Sequence, residues 1–84
     1  MLNIVYFAWV REGVGRDGEQ VERPAPDATV ADLVAMLAAR GGGYAQVLGD
    51  PVKLRAAIDQ RFVPLDTVIG AAGEVALFPP VTGG

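Results

Sequence analysis

The feature that most restricts the fold of this chain is one long amphipathic helix pattern at residues 29–40. Its apolar residues follow the i, i+3, i+4, i+7 spacing of a single helix face: Val30, Leu33, Val34 and Leu37. Thr29 and Asp32 have the spacing of a capping box, and Gly41 is a stop signal. A helix with one apolar stripe must bury it against a second layer, so the rest of the chain has to supply that layer.

Strand patterns flank the helix on both sides. Residues 2–10 are rich in β-branched and aromatic side chains and predict a central strand. A glycine-rich loop at 11–18 and a short polar edge strand at 19–23 would complete a hairpin. After the helix, residues 44–48 are compatible with one short helical turn, and strands are predicted at 54–58, 61–63 and 75–78.

This order of elements predicts an α+β fold, in which a mixed sheet of about five strands carries one main helix across one face. The β-grasp, or ubiquitin-like, fold is the simplest arrangement of that description. We expect residues 1–78 to form this single domain and residues 79–84 to form an extended C-terminal tail.

Composition narrows the possible functions. The 84 residues include no Cys and no His, which removes the thiolate nucleophile, the usual general base and the commonest metal ligand, so no metal site is expected. The net charge is −3 and the cationic residues are scattered, which argues against nucleic acid as a partner. No apolar run has membrane-spanning length and no leader pattern is present, so we expect no membrane contact and a cytoplasmic location.

Residues 13–18, GVGRDG, match the G-x-G-x-x-G pattern of dinucleotide-binding turns. That function requires a helix directly after the glycines, and residues 19–24 have no helical periodicity. The chain is also too short for the paired βαβαβ halves of such a fold. We therefore interpret these glycines as a hairpin loop.

Aromatic side chains predict a docking surface. Alternation along the first strand places Tyr6 on the helix side and Phe7 and Trp9 on the opposite side. Phe62 and Phe78 could join them in an exposed apolar patch. The alternative is that loops or a second copy of the chain cover these rings.

The sequence ends in FPPVTGG, residues 78–84. Pro79 and Pro80 remove two backbone donors, so the last strand cannot continue to pair. Gly83 and Gly84 have no Cβ and can enter a narrow channel that leads to a partner's site. We expect the terminal carboxylate to be the functional group; the alternative is an ordinary frayed end.

Three segments resemble the small, sulfur-carrying subunits of molybdopterin synthases, a ubiquitin-like β-grasp family: residues 6–15 (YFAWVREGVG), 53–63 (KLRAAIDQRFV) and 73–84 (GEVALFPPVTGG). The resemblance implies that an E1-like enzyme uses ATP to adenylate the carboxylate of Gly84, which is then converted to a thiocarboxylate. This group donates sulfur to a cyclic pyranopterin precursor and forms the molybdopterin dithiolene. The chain would bind no cofactor and would be a non-catalytic subunit of a two-subunit sulfurtransferase.

The resemblance also implies partners: the large subunit of molybdopterin synthase, in a heterotetramer, and the activating enzyme. Together with Gly84, the residues expected to contact them are Phe7, Arg11, Phe62, Phe78, Pro79, Pro80, Val81, Thr82 and Gly83. Three alternatives stay open at this point: a sulfur carrier for thiamine thiazole synthesis, a ubiquitin-like protein modifier, and an adaptor that uses only its aromatic patch. The sequence does not distinguish a molybdenum from a tungsten pathway.

Overall fold

The structure, a computed structural model, describes residues 1–80; the predicted tail residues 81–84 lie outside this range. Five strands and three α-helices are formed, together with a short 3₁₀ turn at Pro51–Lys53. The strands are β1 (Leu2–Tyr6), β2 (Gly18–Val21), β3 (Arg55–Ile58), β4 (Arg61–Val63) and β5 (Glu74–Phe78). The helices are α1 (Ala8–Val14), α2 (Val30–Ala38) and α3 (Gly42–Leu48).

The strands form one mixed sheet in the order β2-β1-β5-β3-β4. The two central strands, β1 and β5, are parallel, and all other neighbours are antiparallel. Two hairpins are thus joined through the first and last strands of the chain, with α2 in the connection between them. This is the β-grasp topology, and the predicted α+β class and five-strand mixed sheet are confirmed.

The predicted helix α2 forms as its sequence indicates. The N–H of Asp32 donates to Oγ1 of Thr29 at 3.1 Å, and the N–H of Thr29 donates to Oδ2 of Asp32 at 2.9 Å, which completes the capping box. The four residues of its apolar stripe are buried in one cluster with the inward residues of β1: Leu2, Ile4 and Tyr6. The helix and the sheet therefore share a single core.

The first strand is shorter than predicted, because the chain turns into α1 at Phe7. Backbone pairing continues up to that residue, whose N–H donates to the carbonyl of Leu77 at 3.1 Å. Ala8 then takes a left-handed φ of 52°, and the chain becomes helical. The helix ends at Gly15, where φ is 89° and the N–H donates to the carbonyl of Arg11. The GVGRDG run therefore contains a helix C-cap, and the prediction of a simple hairpin loop was wrong.

The run of glycines at 41–43 begins a two-turn helix, α3, which is longer than the single turn that the sequence suggested. Gly43 lies against α1 so closely that a Cβ there would overlap the carbonyl oxygen of Gly13. A glycine is required at this crossing because no larger residue leaves room for the two backbones. The predicted single main helix is thus joined by two shorter helices, which contribute Val10 and Leu48 to the same core.

All three helices contribute to the core on one side of the sheet, and the outer side carries exposed aromatic rings. Within residues 1–80, none of the helices has the combination of length and apolar character needed to cross a membrane.

Candidate functional site

The outer side of the sheet carries an apolar depression, here called the open face. Three aromatic rings and three small side chains line it: Phe7, Phe62, Phe78, Val5, Ala57 and Ala76. Its volume is about 590 Å³. The prediction that Phe7, Phe62 and Phe78 lie on the side of the sheet away from the main helix is confirmed.

Strand register positions these residues. Ala76 in β5 lies opposite Val5 in β1 on one side and opposite Ala57 in β3 on the other, and Phe62 in β4 lies opposite Ala57. Paired residues in a sheet share a face, so one row of side chains crosses four strands. Phe78 follows two residues after Ala76 and therefore lies on the same side.

The open face is aromatic at its edges and shallow in the middle. The rings of Phe62 and Phe78 have centroids 5.5 Å apart and are tilted by 44°. Phe62 is 81% exposed and Phe7 is 47% exposed, whereas Ala57 and Ala76 are buried and form the floor. Exposed rings around a floor of small side chains are typical of a surface that accepts apolar groups from a protein partner.

The described lining of the open face is mostly apolar. Among residues 1–80, Glu74 is the only ionisable residue in its lining, and Gln60 is the only other polar one. No pair of these described lining groups could act as general acid and base. Among residues 1–80 no cluster of acidic side chains could hold a metal ion.

Trp9 does not lie on the open face, and that prediction was wrong. Because β1 ends at Tyr6, Trp9 belongs to α1 and its side chain no longer follows strand alternation. It lines a separate depression beside α3 and the 3₁₀ turn, where it is 40% exposed.

The other residues expected to bind a partner are placed as follows. Arg11 lies on α1, where its Nε is 3.8 Å from Oδ1 of Asp17, and it does not line the open face. Pro79 and Pro80 follow directly after β5 and are half-buried. The remaining predicted residues lie outside the described range: Val81, Thr82, Gly83 and Gly84. The partner-binding role of the whole set stays a prediction.

Sequence reasoning missed the floor of the open face. The signal was present in EVALF, residues 74–78, where Glu74, Ala76 and Phe78 alternate with two larger aliphatic residues. The aliphatic pair fills the core, so the alternate residues had to face outward. Gln60 and Ala57 could be assigned to the same side only once the β3–β4 register was known.

Comparison with known proteins agrees with this architecture. The ThiS family model matches residues 4–84. The chain belongs to the ThiS family. Two relatives are called molybdopterin synthase sulfur carrier subunit: one from Escherichia coli strain K12, 43% identical, and one from Haemophilus influenzae, 41% identical, both with 100% of each chain covered. The solved structure of small archaeal modifier protein 1 from H. volcanii superposes with a TM-score of 0.73 at 26% identity, covering 95% of this chain and 97% of that one.

The resemblance recognised in the sequence is thus confirmed at the level of the family.

This ThiS-family chain also has a polar cluster centred on Glu19, whose side chain is only 9% exposed. One of its oxygens accepts hydrogen bonds from the hydroxyls of Tyr6 at 2.8 Å and Tyr44 at 2.6 Å. The other accepts from Arg40 at 2.8 Å. The cluster attaches the edge strand β2 to the ends of α2 and α3.

The cluster shifts the pKa values of its members in opposite directions. Desolvation would raise the pKa of Glu19, but the hydrogen bonds from Tyr44, Arg40 and Tyr6 outweigh it and hold the pKa below its usual value. Burial, and then the hydrogen bond to Glu19, raise the pKa of Tyr6 far above that of a free phenol. These contacts explain why a carboxylate this buried stays ionised, and they indicate a structural role on the side of the sheet away from the open face.

A second polar contact lies at the β3–β4 edge of the sheet, across from the edge strand β2 that carries Glu19. Oδ1 of Asp59 accepts hydrogen bonds from the N–H groups of Gly73 and Glu74, both at 3.0 Å. Asp59 and Gln60 form the β3–β4 turn with φ values of 47° and 70°, as the predicted tight turn requires. The turn that carries Phe62 into position is therefore fastened to the first residue of β5.

Proposed function

We propose that this chain is the sulfur carrier subunit of a molybdopterin synthase. Two relatives of that name match it over their full lengths at 41% and 43% identity. The open face is apolar, and its lining in residues 1–80 contains no combination of acid, base and nucleophile. A carrier whose reactive group is at its main-chain end needs this surface and no catalytic side chains.

The observation that carries the proposal is the position of Phe78. This residue is the last of β5 and at the same time one ring of the open face. Pro79 and Pro80 follow at once, so the chain leaves the sheet at the edge of the binding surface. The six residues that follow Phe78 can extend at most about 20 Å. A partner bound to the open face would therefore receive Gly84 within about 20 Å of Phe78.

The proposed chemistry uses the carboxylate of Gly84. An E1-like activating enzyme transfers AMP from ATP to this carboxylate and releases pyrophosphate. A sulfur nucleophile then attacks the carbonyl carbon and displaces AMP, which leaves a thiocarboxylate. This group supplies an anionic sulfur to a chain that has no Cys. The catalytic side chains and the ATP site belong to the partners, and this chain holds no cofactor.

The proposed partners are the large subunit of molybdopterin synthase, in a heterotetramer, and the activating enzyme. Both would use the open face in turn, because only one partner can cover it at a time. The sulfur would pass to a cyclic pyranopterin precursor in the large subunit and build the dithiolene of molybdopterin.

Intact-mass spectrometry tests the chemistry. The chain is incubated with ATP, the activating enzyme and a sulfide source, and we expect one oxygen to be replaced by sulfur. Deletion of Gly84, or Gly83→Val, should abolish this change, because the terminus would no longer fit the activating site. Val52→Ala, at an exposed position away from the open face, is the control and should be charged normally. Normal charging of the Gly84 deletion would refute the proposal.

One observation favours a second candidate, a ubiquitin-like modifier that joins Gly84 to lysines of other proteins. The solved structure called small archaeal modifier protein 1 shares the fold at 26% identity. In a lysate with ATP and the activating enzyme, a modifier produces higher-mass conjugates linked through Gly84. A carrier produces only the thiocarboxylate.

A further inference from the structure

The open face carries charged residues at two ends, and the two ends are opposite in sign. Arg55 lies opposite Phe78 in the β3–β5 pair, at the end where β5 finishes. It is exposed and lines a depression that shares Phe62 and Phe78 with the open face. Glu74, at the start of β5, lines the other end and lies next to Asp59. The face is therefore apolar in the middle, basic at one end and acidic at the other.

These charges do not neutralise one another within one copy of the chain. In the part of the chain that the structure describes, no ion pair within 4.0 Å involves Arg55, Glu74 or Asp59. Along the strand direction Glu74 is about 13 Å from the level of Arg55, which is too far for a direct contact. Nη1 of Arg55 donates to the carbonyl oxygens of Leu54 at 2.8 Å and Val52 at 3.4 Å. The guanidinium is thus held in position, and its other nitrogens can donate to a second molecule.

A second copy of this chain is complementary to such a face. Two copies packed face to face in a closed dimer are related by a two-fold axis that lies in the plane between them. An axis parallel to the strands brings equal ends together, so that Glu74 and Asp59 would meet the same acidic groups of the other copy. An axis across the strands reverses one copy, and Arg55 then meets the acidic end of the other copy at two equivalent places. Charge therefore selects the second arrangement.

The apolar middle of the open face fits the same axis. Val5, Ala76, Ala57 and Phe62 lie level with one another across four strands. An axis along this row places Phe62, which is 81% exposed, against Phe62 of the other copy. The two β5 strands then run antiparallel, and aligned sheets pack with their strands within about 30° of each other. The small side chains of the floor let the two sheets approach to the usual spacing of about 10 Å.

We propose that the open face is also a self-association site, at which two copies of this chain form a symmetric antiparallel dimer. Arg55 of each copy pairs with Glu74 and Asp59 of the other, and the aromatic rings cover the small floor residues. The face measures about 14 Å across its four strands and about 13 Å along them. This is far less than the roughly 800 Å² that each partner buries in a standard stable interface, so the dimer is weak and reversible.

The dimer does not depend on the proposed function, but it bears on it. Both copies bury the surface that the proposed function assigns to the large subunit and the activating enzyme. If the carrier function holds, the dimer is a resting form of the carrier, and either partner has to separate the two copies before it can bind. Partner binding and self-association then compete for the same face.

Sedimentation equilibrium of the full chain, with no partner protein present, tests the proposal. We expect a monomer–dimer equilibrium at chain concentrations between about 10 µM and 1 mM. Arg55→Glu places acid against acid at both contacts and should raise the dissociation constant about tenfold or more. Glu74→Arg should raise it less, because Asp59 remains. The double variant Arg55→Glu/Glu74→Arg restores opposite signs and should recover most of the affinity that Arg55→Glu loses.

Glu12→Arg is the control, because it changes the net charge as Glu74→Arg does but at an exposed position on α1, on the helix side of the sheet. It should not weaken the dimer, and circular dichroism should show that every variant keeps its fold. Raising the salt concentration from about 50 mM to 1 M should weaken the dimer of the parent chain.

Two results would overturn the proposal. A parent chain that stays monomeric up to about 1 mM would rule out self-association. A dimer that Arg55→Glu leaves unchanged, or that Glu12→Arg weakens equally, would rule out the antiparallel arrangement. Neither result bears on the carrier function, which the mass measurement tests separately, and a chain that cannot be charged with sulfur could still form the dimer.

Discussion

Replacement of Glu19 by Ala should destabilise this domain more than any other change to a charged side chain. Glu19 accepts hydrogen bonds from the hydroxyls of Tyr6 and Tyr44 and from the guanidinium of Arg40. Tyr6 is only 1% exposed, so its hydroxyl would lose its acceptor in a place that water does not reach. The perturbation therefore leaves a buried donor unsatisfied instead of simply removing a surface charge.

The magnitude follows from the exposure of each partner. An unsatisfied buried hydroxyl such as that of Tyr6 costs about 1–3 kcal/mol. The side chain of Arg40 is 40% exposed and regains water, so its ion pair contributes only about 0–1 kcal/mol. We expect a total loss of about 1–4 kcal/mol, against roughly 4–13 kcal/mol for the unfolding of a domain of this length. The melting temperature should fall by roughly 5–30 °C.

Urea denaturation followed by circular dichroism measures this loss. Gln20→Ala is the matched control, because Gln20 lies on the same strand and, within residues 1–80, its side chain bonds only to the exposed side chain of Asn3. The control should change the free energy of unfolding by less than about 0.5 kcal/mol. Glu19→Gln keeps an acceptor for one tyrosine and should fall between the two. An unchanged urea midpoint for Glu19→Ala would refute the view that this cluster holds the edge strand.

The same cluster makes the stability of the fold depend on pH. The pKa of Glu19 is lower in the folded chain than in the unfolded one. Its contribution to the free energy of unfolding is therefore complete above the unfolded-state pKa and is lost as pH falls through the folded-state pKa. The pKa of Tyr6 is raised, so its contribution is complete below the pKa of a free phenol and declines as pH rises above it. Stability in Glu19→Gln should depend less on pH at the acid end.

Three further changes test other parts of the structure. Gly43→Ala should cost about 1–3 kcal/mol, because the new methyl group overlaps the backbone of α1. Gly73→Ala should be nearly neutral, because its methyl group would meet Oδ1 of Asp59 at an ordinary contact distance of 3.7 Å; equal urea midpoints would contradict the close crossing. Asp59→Ala should cost about 1–2 kcal/mol and Asp59→Asn much less, since Asn keeps the acceptor and tolerates a left-handed φ. Phe62→Ala should weaken calorimetric binding to the large subunit by about 1–3 kcal/mol, whereas Val52→Ala, equally exposed at 81%, should not.

The parts of the fold that the sequence predicted are those with a strong local pattern. The apolar stripe of α2 and its capping box determined that helix, and the Asp59–Gln60 pair marked a tight turn. The strand-to-helix change at Phe7 was not predictable from periodicity, because β-branched and aromatic side chains recur on both sides of it in residues 2–10. Tertiary packing decided it: Val10 enters the core only from a helix that begins at Ala8 with a left-handed φ.

The sequence predicted the aromatic residues of the candidate site but not the other residues that line it. Phe62 and Phe78 belong to different strands, and their meeting depends on β3 lying between β4 and β5. That order is a property of the whole sheet, which no local pattern encodes. Strand alternation correctly predicted that Phe7 lies on the outer side of the sheet. The same rule gave a wrong prediction for Trp9, because β1 ends before that residue.

The contacts that stabilise the fold lie on one side of the sheet and the proposed binding surface lies on the other, so effects on stability and on binding can be measured separately. The buried cluster and the Glu19 contacts lie on the helix side, so changes there act on the free energy of unfolding. Phe62 is 81% exposed on the other side, and its removal uncovers the small floor residues and part of the ring of Phe78 without opening the core. A loss of partner affinity in Phe62→Ala at unchanged stability can therefore be assigned to the interface itself. Because Phe78 also ends β5, the same substitution there would alter both quantities, and Phe62 is the better probe of the binding surface.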